Sequence, residues 1–222
     1  MEQPKNNFKI VSDKKARMIL PNAITLIGVC IGLTSIKFAL DGKFALAIIA
    51  ILFAGLMDAL DGRIARLIKG TSKMGKELDS LGDVISFGVA PAFIMYFWNL
   101  QYLDKLGWFV CLMYVVCVAL RLARFNVNSE EEQSWKDNFF EGVPAPAGGI
   151  IVLMPLVLSF SGLGEIFFKI NYDLVVPIFF IIVSMLLIST IPTYSFKKIV
   201  IPRTMTKFLL FGIVLFFGAL LV

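Results

Sequence analysis

Long apolar runs leave this chain few ways to fold. They lie at about 18–40, 44–68, 78–99, 107–126, 145–162, 173–194 and 206–222. A helix that crosses a bilayer needs about 20 mostly apolar residues. In hydrocarbon every backbone N–H and C=O must be paired inside the protein, so a run of this length is read as a helix. With 58% hydrophobic residues and a mean hydropathy of +0.84, the chain is too apolar for a soluble domain. The expected fold is all-α, a polytopic transmembrane helix bundle forming one integral membrane domain over 1–222. The run at 206–222 is short for a full span.

Basic residues orient such a bundle, because cytoplasmic loops carry the excess of Lys and Arg. Lys5, Lys9, Lys14, Lys15 and Arg17 precede the first run. Lys69, Lys73 and Lys76 follow the second, Arg121, Arg124 and Lys136 close the fourth, and Lys197, Lys198, Arg203 and Lys207 follow the sixth. Alternating spans put all of these on one side and leave Lys37, Lys43, Lys105 and Lys169 on the other. The N-terminus is therefore expected in the cytoplasm, in a bacterial-type inner membrane. The first seventeen residues read as a basic flank without an obvious cleavage site. The stretch 8–20 either lies along the membrane surface as a helix or serves as an ordinary orienting flank. The net charge of +5 follows from this bias and from anionic headgroups, so no nucleic-acid partner is expected.

There is no histidine, which excludes imidazole relays, His metal ligands and Ser–His triads. Cys30, Cys111 and Cys117 lie within apolar runs, and their odd number and spacing argue against a disulfide framework or a zinc site. The acidic run at 129–133 reads as a solvated loop.

The acids of DALDGRIARLIKGTSKMGKELDSLGD (58–83) need a different explanation. On a helix, Asp58, Asp61, Gly62, Ala65 and Arg66 fall on one face; on the next helix, Gly75, Asp79 and Asp83 do the same. Gly70, Thr71 and Ser72 allow a turn between them. The two helices are then antiparallel neighbours whose acidic faces meet. Charged groups are costly in a membrane, and four converging carboxylates require cations between them. Hard oxygen ligands without His or Cys favour Mg²⁺ or Mn²⁺, and four aspartates can hold two such ions, as in phosphoryl transfer. Gly62 and Ala65 let a flat ligand approach the backbone, and Arg66 offers a planar fork to phosphate or ribose oxygens. The competing reading is an ion-pair belt with Arg63, Arg66, Lys69, Lys73 and Lys76, which explains neither the small residues nor the two shared faces.

The pattern D-x2-D-G-x2-A-R-x8-G-x3-D-x3-D, from Asp58 to Asp83, has eight fixed positions over 26 residues and no departure. It resembles the CDP-alcohol phosphatidyltransferases, integral membrane enzymes of phospholipid synthesis. The resemblance implies a six-helix core at 18–194, with 1–17 as a cytoplasmic flank and 195–222 as a C-terminal extension carrying an added helix. It implies that Asp58, Asp61 and Asp79 bind divalent metals, that Asp83 is the general base and also touches a metal, and that Gly62, Ala65, Arg66 and Gly75 shape the CDP pocket. It leaves room for a homodimer.

Four further stretches are similar to the phosphatidylserine synthase branch of that family: PNAITL (21–26), SFGVAPA (86–92), RLARFN (121–126) and GVPAPAGG (142–149). They imply CDP-diacylglycerol and L-serine as substrates, with membrane lipids around them. Arg121 and Arg124, three residues apart, are candidates for the lipid phosphate or the serine carboxylate, or else anchor the helix end. Asn22 and Thr25 are candidates for the diphosphate or an ion, or else cap and pack the first helix. Ser86 either contacts substrate or bonds its own backbone. Two alternatives remain at this stage: the same chemistry with glycerol 3-phosphate or inositol phosphate as acceptor, and a divalent-cation transporter whose acids line an ion path.

Overall fold

The computed structural model describes residues 14–68, 72–128, 139–161, 171–189 and 192–194. The first described helix, α1 (Lys14–Leu40), runs into α2 (Phe44–Leu67) through a tight turn. The Lys43 N–H donates to the Phe38 carbonyl at 2.8 Å, and the Gly42 N–H donates to that of Ala39 at 3.0 Å. This is a Schellman ending, and Gly42 supplies its left-handed residue at φ +73°. The turn folds α1 back along α2 as an antiparallel pair. Ala47, Ile48, Ala50, Ile51, Ala54 and Asp61 form the buried side of α2; their spacing is that of one helical face.

Ser72 starts α3 (Lys73–Asp83), its Oγ accepting the Gly75 N–H at 3.0 Å. This cap explains why the helix begins ahead of the expected 78. The same span continues through a π-helical turn, Val84–Val89, into α4 (Ala90–Trp98). A 3₁₀ turn, Leu100–Leu103, then leads into α5 (Asp104–Asn128). Among the described residues, four helical spans are long and apolar enough to cross a membrane: Ile19–Leu40, Phe44–Leu67, Lys73–Trp98 and Leu100–Val127.

The fifth expected span is broken in two, α6 (Ala145–Val152) and α7 (Met154–Ser161). Pro155 accounts for the break at Leu153, since it lacks the N–H an unbroken helix would use. The sixth, α8 (Tyr172–Ile188), is capped by Asn171, whose Oδ1 accepts the Asp173 N–H at 3.2 Å. It ends well before the expected 194. Pro192–Tyr194 instead forms β2, antiparallel to β1 (Phe139–Glu141) with Phe140 opposite Thr193. Pro192 lacks the N–H that a continued helix would give to the Ile188 carbonyl. This short ribbon is a local departure; the molecule is an all-α polytopic membrane bundle.

The core draws on every described span. Ile48 and Ile51 of α2, Phe87 of the π turn, Ile94 and Met95 of α4, Tyr114 of α5, Leu156 of α7 and Phe180 of α8 are all fully buried. Large apolar side chains also face outward, among them Leu26, Ile27 and Leu33 of α1, Phe53 of α2, and Ile178, Ile182 and Met185 of α8. Lipid is the solvent for such faces. Of the expected flank 1–17, residues 14–17 belong to α1 and residues 1–13 lie outside the described residues, as do the acidic run 129–133 and the expected helix at 206–222.

Candidate active site

Helices α2 and α3 bring the four aspartates together. One carboxylate oxygen from each of Asp58, Asp61 and Asp79 lies within 4.8 Å of the others, which is close enough to share a metal ion. Asp83, one turn further along α3, is within hydrogen-bonding reach of Asp58 and in electrostatic contact with Asp79. Two carboxylates in contact need a cation or a proton between them.

Asp61 carries the strongest demand. It is 2% exposed. Its Oδ2 accepts a hydrogen bond from Thr25 Oγ at 2.5 Å, while its Oδ1 is buried with no hydrogen-bond partner among the described residues. A buried ionised oxygen without a partner is far costlier than a neutral one. The three carboxylates supply only hard oxygen donors, the set that suits Mg²⁺ or Mn²⁺. They therefore fit a divalent ion on geometry, burial and chemistry.

The space among these groups is about 10 Å³, enough for one water-sized body. Thr25, Gly28 and Val29 of α1 form one wall, Ala54 closes the α2 side, and Gly82, Ser86 and Phe87 complete it. Glycines make the approach of α1 close. A Cβ at Gly82 would sit 3.2 Å from Val29 Cγ2, and one at Gly32 would sit 2.7 Å from Ser86 Oγ. Gly28 and Gly32 form the small-xxx-small pattern that lets membrane helices touch.

The remaining candidates divide. Ser86 is buried against the cavity. Arg121, 8% exposed, reaches the site from α5 and is in electrostatic contact with Asp83; its Nε is buried without a hydrogen-bond partner among the described residues. Arg124 is turned elsewhere, its Nη1 donating to the Ile188 carbonyl at 2.9 Å at the end of α8. Gly62, Ala65 and Arg66 do not line the small cavity; they continue the face of α2 beyond it. Among the described residues nothing lies within 4 Å of where a Gly62 Cβ would be, and Arg66 is exposed. Gly75 meets α1 instead: a Cβ there would stand 2.9 Å from Asn22 Oδ1 and 3.1 Å from Ser72 Oγ. Gly75 thus lets α1 and the α3 cap approach, and Asn22 packs on it.

Several contributors escape the Asp pattern. Gly28 and Gly32 carried a readable signal in their four-residue spacing. Ser80 and Asn126 did not: Asn126 Nδ2 donates to Ser80 Oγ at 2.9 Å and ties α3 to α5 beside Asp79, a pairing 46 residues apart in sequence.

A family model described as CDP-alcohol phosphatidyltransferase matches residues 18–217. The chain is 41% identical over 186 residues to a Mycobacterium leprae protein named CDP-diacylglycerol–serine O-phosphatidyltransferase, covering 83% of this chain and 61% of that one. It is 44% identical over 145 residues to a Mycobacterium tuberculosis protein of the same name, covering 64% of this chain and 50% of that one. A Helicobacter pylori protein, also of that name, is 34% identical over 181 residues, covering 82% of this chain and 74% of its own length. The chain thus spans about three-fifths and half of the length of these two mycobacterial relatives. The match over 18–217, on a helix pair that gathers the four aspartates, places this chain in the CDP-alcohol phosphatidyltransferase family.

Proposed function

We propose that this protein transfers the phosphatidyl group of CDP-diacylglycerol to L-serine, giving phosphatidylserine and CMP. The observation that carries the reading is the buried Oδ1 of Asp61, unpartnered among the described residues and within reach of Asp58 and Asp79. A set of carboxylates completed only by a cation suits a substrate that arrives as a diphosphate. The names of the relatives from Mycobacterium and Helicobacter support serine as the acceptor.

Asp58, Asp61 and Asp79 would hold Mg²⁺ or Mn²⁺, with Asp83 placed to share a second ion. Bound there, the ions supply charge neutralisation of the diphosphate and of the departing phosphate. Asp83 takes the proton from the serine hydroxyl as its oxygen bonds to the phosphorus that bears diacylglycerol. The bond from that phosphorus to the bridging oxygen breaks, and the electron pair leaves with CMP. An alcohol is a weak nucleophile at neutral pH, so a positioned base matters. Arg121, buried beside Asp83, orients the serine carboxylate or the lipid phosphate. Gly62 leaves open space on α2 for the CDP head, and Ala65, Arg66 and Gly75 extend that face. Thr25 holds Asp61, Asn22 sits beside it near the start of α1, and Ser86 closes the wall. Arg124 belongs to the helix framework through Ile188.

In this reading the N-terminus, the site and the basic loops face the cytoplasm, and the acyl chains stay in the bilayer while CDP enters from that face. The deciding experiment supplies purified protein with CDP-diacylglycerol, Mn²⁺ or Mg²⁺, and labelled serine, glycerol 3-phosphate or inositol phosphate in turn. Label is expected in lipid with serine, matched by CMP release. Incorporation of a different alcohol, with serine inert, overturns the assignment.

A further inference from the structure

The span that carries Asp79 and Asp83 does not remain an α-helix. From Val84 to Val89 it is wound as a π helix, and the Ala90 N–H donates to the Ile85 carbonyl five residues back. Single π turns of this kind are concentrated at functional sites. The cause lies in Pro91. In an unbroken α-helix the Phe87 carbonyl would accept from residue 91, which has no N–H, and the proline ring would collide with that same carbonyl. The wider turn relieves the collision.

The carbonyl that Pro91 cannot serve is met from another helix. Tyr114 Oη of α5 donates to Phe87 O at 2.8 Å. Tyr114 is fully buried, with its ring edge-on to Phe180 at 5.2 Å between centroids. The turn is gripped on its other sides by glycines. A Cβ at Gly149 of α6 would sit 3.0 Å from Phe87 O, and one at Gly32 of α1 would sit 2.7 Å from Ser86 Oγ. Asp83 immediately precedes this turn, and Ser86 and Phe87 within it line the acidic cavity.

We propose that Tyr114 is a positioning residue for the acidic site: its hydroxyl replaces the N–H that Pro91 lacks, holds the Phe87 carbonyl, and so fixes the π register that aims Asp83 and Ser86 at the carboxylates of α2. The inference rests on reading that site as the transferase centre. Tyr114 touches neither substrate nor metal in this account and acts only through the turn.

The test compares Tyr114→Phe with Ser184→Ala in purified protein with Mn²⁺. Ser184 Oγ donates to the Phe180 carbonyl at 2.7 Å in α8, so both variants remove one buried hydroxyl from one backbone carbonyl. Tyr114→Phe is expected to lower kcat about 10-fold, with KM for both substrates and the half-saturating Mn²⁺ concentration within twofold of wild type. Ser184→Ala is expected to lose similar thermal stability with kcat within twofold. Wild-type kcat in Tyr114→Phe, an equal kcat loss in Ser184→Ala, or a loss carried by KM overturns the proposal. If Tyr114→Phe does not fold, 3-fluorotyrosine at position 114 keeps the ring packing with a stronger donor; a twofold or larger change in kcat alone supports the proposal, and an unchanged kcat overturns it. A wild-type protein that releases no CMP with any acceptor removes the transferase reading instead. The EPR spectrum of bound Mn²⁺ then decides: a change confined to Tyr114→Phe supports positioning, and identical spectra in both variants overturn it.

Discussion

The span Lys73–Trp98 buries polar groups at both ends, and the two ends are finished in different ways. Near its start, Asp79 and Asp83 face Asp58 and Asp61, and Asp61 Oδ1 finds no protein partner among the described residues. Just past its far end, Asn99 Nδ2 donates to Asp173 Oδ1 at 2.9 Å, Trp98 packs edge-on to Tyr172, and Trp108 meets the edges of Phe93 and Tyr96. Asn99 also buries an oxygen that is unpartnered among the described residues. That oxygen is neutral, and its cost is about 1–3 kcal/mol. A carboxylate oxygen in the same position costs several times more. The far end is therefore a joint that the chain completes by itself, at small expense. The acidic end leaves a charged oxygen without a partner among the described residues, in a set of carboxylates that fits a divalent cation.

Removing the charge at the acidic end should break this contrast most severely. Asp61→Asn keeps the shape and the Thr25 contact but removes the negative oxygen. Turnover should fall about 10³-fold or more, ~4 kcal/mol of transition-state stabilisation. Wild-type protein should lose activity in EDTA, regain it with Mn²⁺ or Mg²⁺, and melt at a higher temperature when the ion is present; Asp61→Asn should show no such melting shift. A metal-dependent melting shift retained in Asp61→Asn would place the ion elsewhere. Arg121→Gln comes next. It strips the buried cation from beside Asp83 and should lower kcat/KM for serine about 100-fold, or ~2.7 kcal/mol. Measuring KM for serine and for CDP-diacylglycerol separately tells which anion the guanidinium serves. Thr25→Val is milder: it preserves volume and frees Asp61 Oδ2. Loss of an outer hydrogen bond to a metal ligand typically costs about 10–100-fold in affinity or activity, so the Mn²⁺ concentration for half activity should rise about 10-fold while kcat at saturating metal changes little.

The two ends also differ in how far the sequence discloses them. The acidic end was legible because its geometry is local. Helical spacing alone puts Asp58 with Asp61, and Asp79 with Asp83, on shared faces, and only a short connection separates the two helices. The membrane class and the first four spans follow from hydropathy in the same way, with α3 starting early because Ser72 caps it. What sequence periodicity does not carry is how proline is accommodated. Pro155 splits the fifth span, whereas Pro91 widens a turn without ending the helix. The difference depends on partners distant in sequence, such as Tyr114 for the Phe87 carbonyl. The roles of Gly75 and Arg124 were hidden for the same reason. Their contacts, Asn22 and the Ile188 carbonyl, lie 53 and 64 residues away along the chain.

The smallest expected effect belongs to the far end, and it tests the contrast from the other side. Asn99→Ala deletes the amide that donates to Asp173 and the neutral oxygen that lacks a partner among the described residues. The lost bond reaches a carboxylate, which raises its worth to about 1.5–3 kcal/mol. Deleting the orphan oxygen offsets part of that, and Asp173 is exposed enough to regain water. A net loss of about 1 kcal/mol is expected, visible as a slightly lower melting temperature in detergent. No metal-dependent term should change, because Asn99 lies 16 residues beyond Asp83, about 24 Å along the span at roughly 1.5 Å per residue. Turnover, both KM values and the Mn²⁺ requirement should therefore match wild type. If kcat falls as the melting temperature falls, the far end is not an independent joint: the span transmits its strain to Asp83, and the rigid element between the two ends would be the π turn that Tyr114 holds.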